Sequence, residues 1–109
     1  MNIEELCQHV MTSKEVTIPQ NAELIGGSRD NFLSVGCDVF RELVRSTQLN
    51  PGSRVLDIGS GLGRIAYPLA YYLENGQYVG LEIIKDSVDF CQKNVLPLTA
   101  PNSHFEFIH

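Results

Sequence analysis

With 109 residues, 43% of them hydrophobic, the chain is long enough for one compact domain with its own core and too short for two of ordinary size. A formal net charge of -5, with eight basic residues scattered singly, argues against a tight, sequence-independent grip on nucleic acid, which needs clustered Lys and Arg to neutralise phosphate. Glycine and proline are too few for a disordered segment, no stretch repeats, and no apolar run reaches membrane-spanning length.

In chain order, Ile3, Leu6, Cys7, Val10 and Met11 follow helical spacing and predict a leading helix with one apolar stripe. The segment TIPQNAELIGGSRDN has a proline, paired glycines and no period, so it reads as a loop over the surface or across a cleft, with Gly26, Gly27 and Ser28 placed to touch a ligand or form only a turn. A second helix is predicted from Ser28 or Asp30 to about Thr47, with Phe32, Gly36, Val39, Phe40, Leu43 and Val44 on one face. Asn50-Pro51-Gly52 closes it as a turn, and the short apolar run Arg54 to Ile58 is the first strand.

Beyond a glycine-rich stretch, Ile65, Ala66, Leu69, Ala70 and Leu73 keep a helical period, with a start expected near residues 62 to 64. Pro68 within it predicts a late start or a kink, because proline removes a backbone donor and crowds the preceding turn. Asn75-Gly76 is a turn, and Gln77 to Ile84 is a second strand, apolar enough to be expected covered on both faces. Lys85 to Val95 predicts a helix with Val88, Cys91 and Val95 inward, and Ser103 to His109 alternates as a third strand. Strands alternating with helices predict an α/β fold, a doubly wound parallel sheet whose ligands bind at the carboxyl ends of the strands.

The chemistry sits at those ends. Strand one runs into Asp57-Ile58-Gly59-Ser60-Gly61-Leu62-Gly63, where glycines allow a sharp turn, remove side chains that would hold a ligand off, and leave helix-start N–H groups facing a carboxylate or a phosphate. Glu82, at the end of strand two, is placed to accept hydrogen bonds from both hydroxyls of a ribose, and Ile83 to pack on the base.

These residues resemble a known family. VLDIGSGLGR is similar to motif I of class I S-adenosylmethionine (SAM)-dependent methyltransferases, and YVGLEI resembles their acidic ribose motif. The resemblance implies a Rossmann-like fold, SAM as cofactor and an unidentified methyl acceptor as partner. It implies that Gly59, Ser60, Gly61 and Gly63 wrap the methionine part, that Asp57 orients the amino group directly or through water, and that Glu82 holds the ribose. Arg64 either pairs with the SAM carboxylate or lies solvated on a helix face. Upstream, IGGSRDNFLSVG looks like the cap of some bacterial small-molecule methyltransferases, dividing the chain into a helical cap and loop over 1–49 and the first half of the SAM-binding unit over 50–109. The family's sheet has about seven strands and this sequence ends after the third, so the active site is expected to be incomplete and the sheet edge open to self-association.

Two rivals share the pattern. A nicotinamide-dependent oxidoreductase also needs a glycine loop and an acidic residue, but its fingerprint G-x-G-x-x-G/A, set on Gly59 and Gly61, asks for Gly or Ala where Arg64 stands. A non-catalytic SAM-binding or interaction module is the other. His9, His104 and His109 are isolated, so no general base is identified. Cys7, Cys37 and Cys91, widely separated and without a C-x-x-C pair, are expected as buried free thiols with no metal. The acidic start without an apolar core is not a secretory signal, and a cytoplasmic enzyme with no membrane partner is the expectation.

Overall fold

The computed structural model describes residues 1–20 and 29–109, except for the side chains of residues 29 and 30. Helix α1 (Ile3–Thr12) starts where the Asn2 side chain accepts the Glu5 N–H at 2.8 Å, with Glu4 and Glu5 in the first turn where the helix dipole favours acid. Its stripe of Leu6, Cys7 and Val10 is buried. Helix α2 (Arg29–Ser46) packs against α1 through Cys37, and the two are also tied at the surface by Arg41 donating to Glu4 at 2.9 Å. Of the expected loop before α2, residues 21–28, with Gly26, Gly27 and Ser28, lie outside the described residues.

Strand β1 (Arg54–Ile58), helix α3 (Ala66–Tyr72), strand β2 (Gln77–Leu81), helix α4 (Lys85–Asn94), a 3₁₀ turn (Leu96–Leu98) and strand β3 (His104–Ile108) follow. The strands form one parallel sheet in the order β1-β2-β3, with Asp57 opposite Gly80 and Gly80 opposite Phe107. This is the Rossmann-like arrangement expected: parallel strands joined through helices.

Three expectations need correction. The chain turns through residues 61–65 before α3 begins at Ala66, later than the expected 62 to 64. Pro68 is therefore the third residue of the helix, in the first turn, where N–H groups have no intrahelical acceptor to lose; the helix starts late instead of kinking. Strand β2 stops at Leu81, not Ile84, because Glu82 leaves the ladder after donating its N–H to Ile108 O at 3.0 Å. Nor is β2 covered on both faces. Tyr78, Gly80, Phe105 and Phe107 are buried beneath the helices, whereas on the reverse face Leu56 and Ile58 are 62% and 78% exposed and Val79 and Leu81 half-buried. An apolar residue on each face reads the same in sequence whether or not a second layer is present.

One hydrophobic core runs through the described molecule, joining Leu6 and Val10 of α1, Phe32 and Phe40 of α2, Leu69 of α3 and Tyr78 of β2. The two N-terminal helices and the sheet therefore share an interior. All three cysteines are buried free thiols. No described helix is long and apolar enough to cross a membrane, and among the described residues no group of His, Cys, Asp and Glu is placed to hold a metal ion.

Candidate cofactor site at the strand tips

The connection from β1 to α3 is shaped by Gly59, Gly61 and Gly63, at φ of +77°, +59° and +90°, a region that L-residues with a side chain seldom enter. The three differ in what their missing side chains face. A Cβ on Gly59 would meet nothing within 4 Å, and one on Gly61 only the Gly59 carbonyl at 4.0 Å. At Gly63 it would press on Cys91 Sγ and Val95 Cγ2, each at 3.2 Å. Gly59 and Gly61 thus leave a bare surface toward open space, whereas Gly63 lets the turn seat on α4.

The loop is fastened to the end of β2. Gly59 N and Ser60 N both donate to Leu81 O, at 2.8 and 3.1 Å. Gly61 N donates to Glu82 Oε1 at 2.9 Å, and Ile84 N to Glu82 Oε2 at 3.0 Å. From beneath, the Cys91 thiol donates to Gly61 O at 3.4 Å. Burial, reinforced by the Asp57 and Glu82 carboxylates, pushes that thiol up to about 12, so it remains a protonated donor.

The expectation that the turn offers unpaired N–H groups is therefore corrected for Gly59, Ser60, Gly61 and Gly63, whose donors are taken by Leu81, Glu82 and the Ser60 carbonyl. What the turn presents is shape. Glu82 keeps more: a carboxylate oxygen has two lone pairs, so each oxygen, holding one N–H, can still accept one hydroxyl.

Two clefts meet over Gly61 and Leu62. One, of about 970 Å³, is bounded by Ile18, Glu82, Ile84 and Phe90; the other, about 320 Å³, by Phe32, Asp57, Gly59 and Arg64. Volumes of this order suit a nucleoside-sized ligand. Asp57 is half-buried and its Oδ2 accepts the Tyr78 hydroxyl at 2.6 Å. Arg64 is half-buried with its guanidinium 5.0 Å from the centre of the Phe32 ring, not solvated on a helix face. Ile83 is 90% exposed beside Glu82. The structure thus brings Asp57, Gly59, Ser60, Gly61, Arg64 and Glu82 to one end of the sheet, with Gly63 supporting the turn from below.

The histidines do not join them. His9 lies on α1 against the Tyr71 ring, and His104 starts β3 at the sheet's opposite end, beside Glu106. His109 follows β3 and is exposed.

Sequence reasoning passed over several residues that build the site. A Cβ on Gly80 would lie 2.8 Å from Ser60 Oγ and 2.9 Å from Ser60 Cβ, so this glycine makes the hollow in which buried Ser60 sits. A Cβ on Gly36 would lie 2.0 Å from Arg64 O, so α2 rests directly on the backbone of the turn. A glycine inside a strand or helix marks close approach of another chain segment, and that signal was available at both positions. The Tyr78–Asp57 contact and the Cys91 bond have no sequence signature, because they depend on which residues the sheet and α4 bring together.

A parallel sheet joined through helices, with a side-chain-free turn after β1 and an acidic residue just past the tip of β2, defines an α/β domain of the Rossmann-like class. A family profile described as a methyltransferase domain matches residues 49–107, more than half of the chain, and the protein belongs to that family of class I SAM-dependent methyltransferase domains. No solved structure matches it.

Proposed function

We propose that the chain binds SAM at the strand tips and serves methyl transfer to a small-molecule or other non-nucleic-acid acceptor. Residues 50–109 supply the cofactor half and residues 1–49 cap it. The observation that carries this reading is the Glu82 carboxylate, anchored on Gly61 N at 2.9 Å and Ile84 N at 3.0 Å while retaining one acceptor site per oxygen. That is the pattern two adjacent ribose hydroxyls require. The fit extends to the amino acid portion: the open volume above Gly59 takes the backbone of the methionine moiety, Asp57 faces its ammonium, and half-buried Arg64 lies near its carboxylate. Exposed Ile83 is free to cover the base.

SAM supplies a methyl group already made electrophilic by its sulfonium. The protein's task is then to hold donor and acceptor in line and to keep water out. Glu82 fixes the nucleoside, Asp57 the ammonium end, and the Gly59 turn lets the sulfonium approach the main chain. The net charge of -5 suits a neutral or cationic acceptor over a polyanion. Three widely separated, buried free thiols suit residence in the cytoplasm.

Against a nicotinamide cofactor stands Arg64, whose backbone carbonyl is packed under Gly36 and whose long side chain, directed to the Phe32 ring, stands where the dinucleotide fingerprint asks for Gly or Ala. Calorimetric titration tests the reading. SAM should bind and NAD should not, and Glu82→Ala and Gly61→Val should each weaken SAM by at least about tenfold, through lost ribose bonds and a blocked turn. Unchanged SAM affinity in both variants would remove the assignment.

A further inference from the structure

Asp57 is held by a neighbour that touches no ligand. In the parallel register Tyr78 lies opposite Val55, two rungs below Asp57 and on the same face of the sheet. A diagonal neighbour at this spacing is within reach of an aromatic side chain. Gly80, directly opposite Asp57, has no side chain to compete for the carboxylate. The Tyr78 ring is fully buried, stacked on Phe105 at 5.0 Å between centroids and tilted against Phe107 at 5.5 Å, which fixes its direction. Its hydroxyl then reaches Asp57 Oδ2 at 2.6 Å.

We infer that Tyr78 is a positioning residue for cofactor recognition: by taking up Oδ2 it locks the Asp57 carboxylate in one rotation and leaves Oδ1 to receive the ammonium of the amino acid portion. The inference rests on the SAM reading above and deepens it. A buried phenol needs an acceptor, and a carboxylate is the strongest one available. Burial and the adjoining Asp57 charge raise the phenol far above its ordinary range, so it remains the donor through neutral and alkaline conditions. Oδ1 has no hydrogen-bond partner among the described residues, and Asp57 borders the cleft that also holds Gly59 and Arg64. The tyrosine thus acts only through the aspartate, from the core side of the sheet.

The test compares two ligands on the intact chain: SAM, and 5′-methylthioadenosine, which keeps the nucleoside and the methylated sulfur, now a neutral thioether, but lacks the amino acid. Tyr78→Phe keeps the ring and its stacking and removes only the hydroxyl. It should weaken SAM by about fivefold or more, the scale of a hydrogen bond to a charged group, and leave methylthioadenosine within about twofold. Asp57→Asn should show the same selectivity, and adding Tyr78→Phe to it should cost little more, because the two residues act as a unit.

A purely structural role for Tyr78 would weaken both ligands alike or neither, and either result overturns the inference while the SAM reading stands. If Tyr78→Phe does not fold, the Asp57→Asn titrations decide, since equal loss of both ligands there also overturns it. A wild-type protein that binds neither ligand defeats the SAM reading and the inference together.

Discussion

Gly59→Ala should separate binding from folding, because the position is costly for one reason only. At φ +77° with nothing within 4 Å of the added carbon, the methyl clashes with no protein atom. Its penalty is the left-handed backbone alone, about 1–2 kcal/mol. For a domain of this size that lowers Tm by about 5–15 °C. The methyl occupies the open volume assigned to SAM, so affinity should fall at least about tenfold, or ~1.4 kcal/mol. Gly63→Ala is the matched control. It shares the backbone strain, at φ +90°, and adds contacts of 3.2 Å with Cys91 and Val95, about 1 kcal/mol more from overpacking. Its SAM affinity should stay within about threefold of wild type once the folded fraction is allowed for. Thermal melts and calorimetric titration of the two variants give all four quantities. Wild-type SAM affinity in Gly59→Ala, or a larger binding loss in Gly63→Ala than in Gly59→Ala, would refute the division of the glycines into ligand-facing and supporting.

Gly36→Ala should be among the most destabilising conservative changes, about 3 kcal/mol or more, since its methyl would lie 2.0 Å from a backbone oxygen that cannot swing away. A urea midpoint equal to wild type would show that α2 does not rest on the turn. Alkali should also destabilise the fold. Burial, with the neighbouring Cys7, pushes Cys37 up to about 12, and burial with the Asp57 and Glu82 carboxylates does the same to Cys91. Below about 8.5, where these thiols ionise in the unfolded chain, native and unfolded states hold the same protons and stability is unaffected. Above it the unfolded state loses protons the native state keeps, so each thiol lowers unfolding free energy by up to ~1.4 kcal/mol per pH unit until its native value is passed. Urea unfolding at about pH 7.5 and about pH 10 should show this decline, smaller in Cys91→Ala; a flat profile would contradict the burial argument.

How much of this was legible in the sequence depended on whether a residue's role is local. Arg54 to Ile58 could be read to the residue as a strand, because turn residues bound it on both sides. Glu82 could be placed at a strand tip, because a glycine turn and an acidic residue at that separation must meet once two parallel strands pair. The beginning of α3 was misplaced because period alone cannot say where the first hydrogen-bonded turn closes; Pro68, compatible only with the first turn of an unkinked helix, held the information. The N–H groups of the glycine turn were expected to face a ligand because nothing in the sequence tells that Leu81 O and Glu82 take them. Tyr78 looked like another apolar strand residue, because its contact with Asp57, two rungs away on another strand, has no mark in the sequence.

Strand β2 and the residue that follows it hold the first half of the turn: Tyr78 holds Asp57, Gly80 admits Ser60, the Leu81 carbonyl takes two donors, and Glu82 takes a third. All of these depend on β2 pairing with β1 in a single alignment. Side chains alternate along a strand, so a slip of one residue would carry Tyr78 to the bare face, put Val79 in its place, and leave Asp57 without its donor. The stacking of Tyr78 on Phe105 and its tilted contact with Phe107 would be lost in that slip, along with the burial of its ring. The same three rings that pack beneath the helices thereby act as the key that selects the one strand alignment in which Asp57 keeps its donor and Ser60 its hollow.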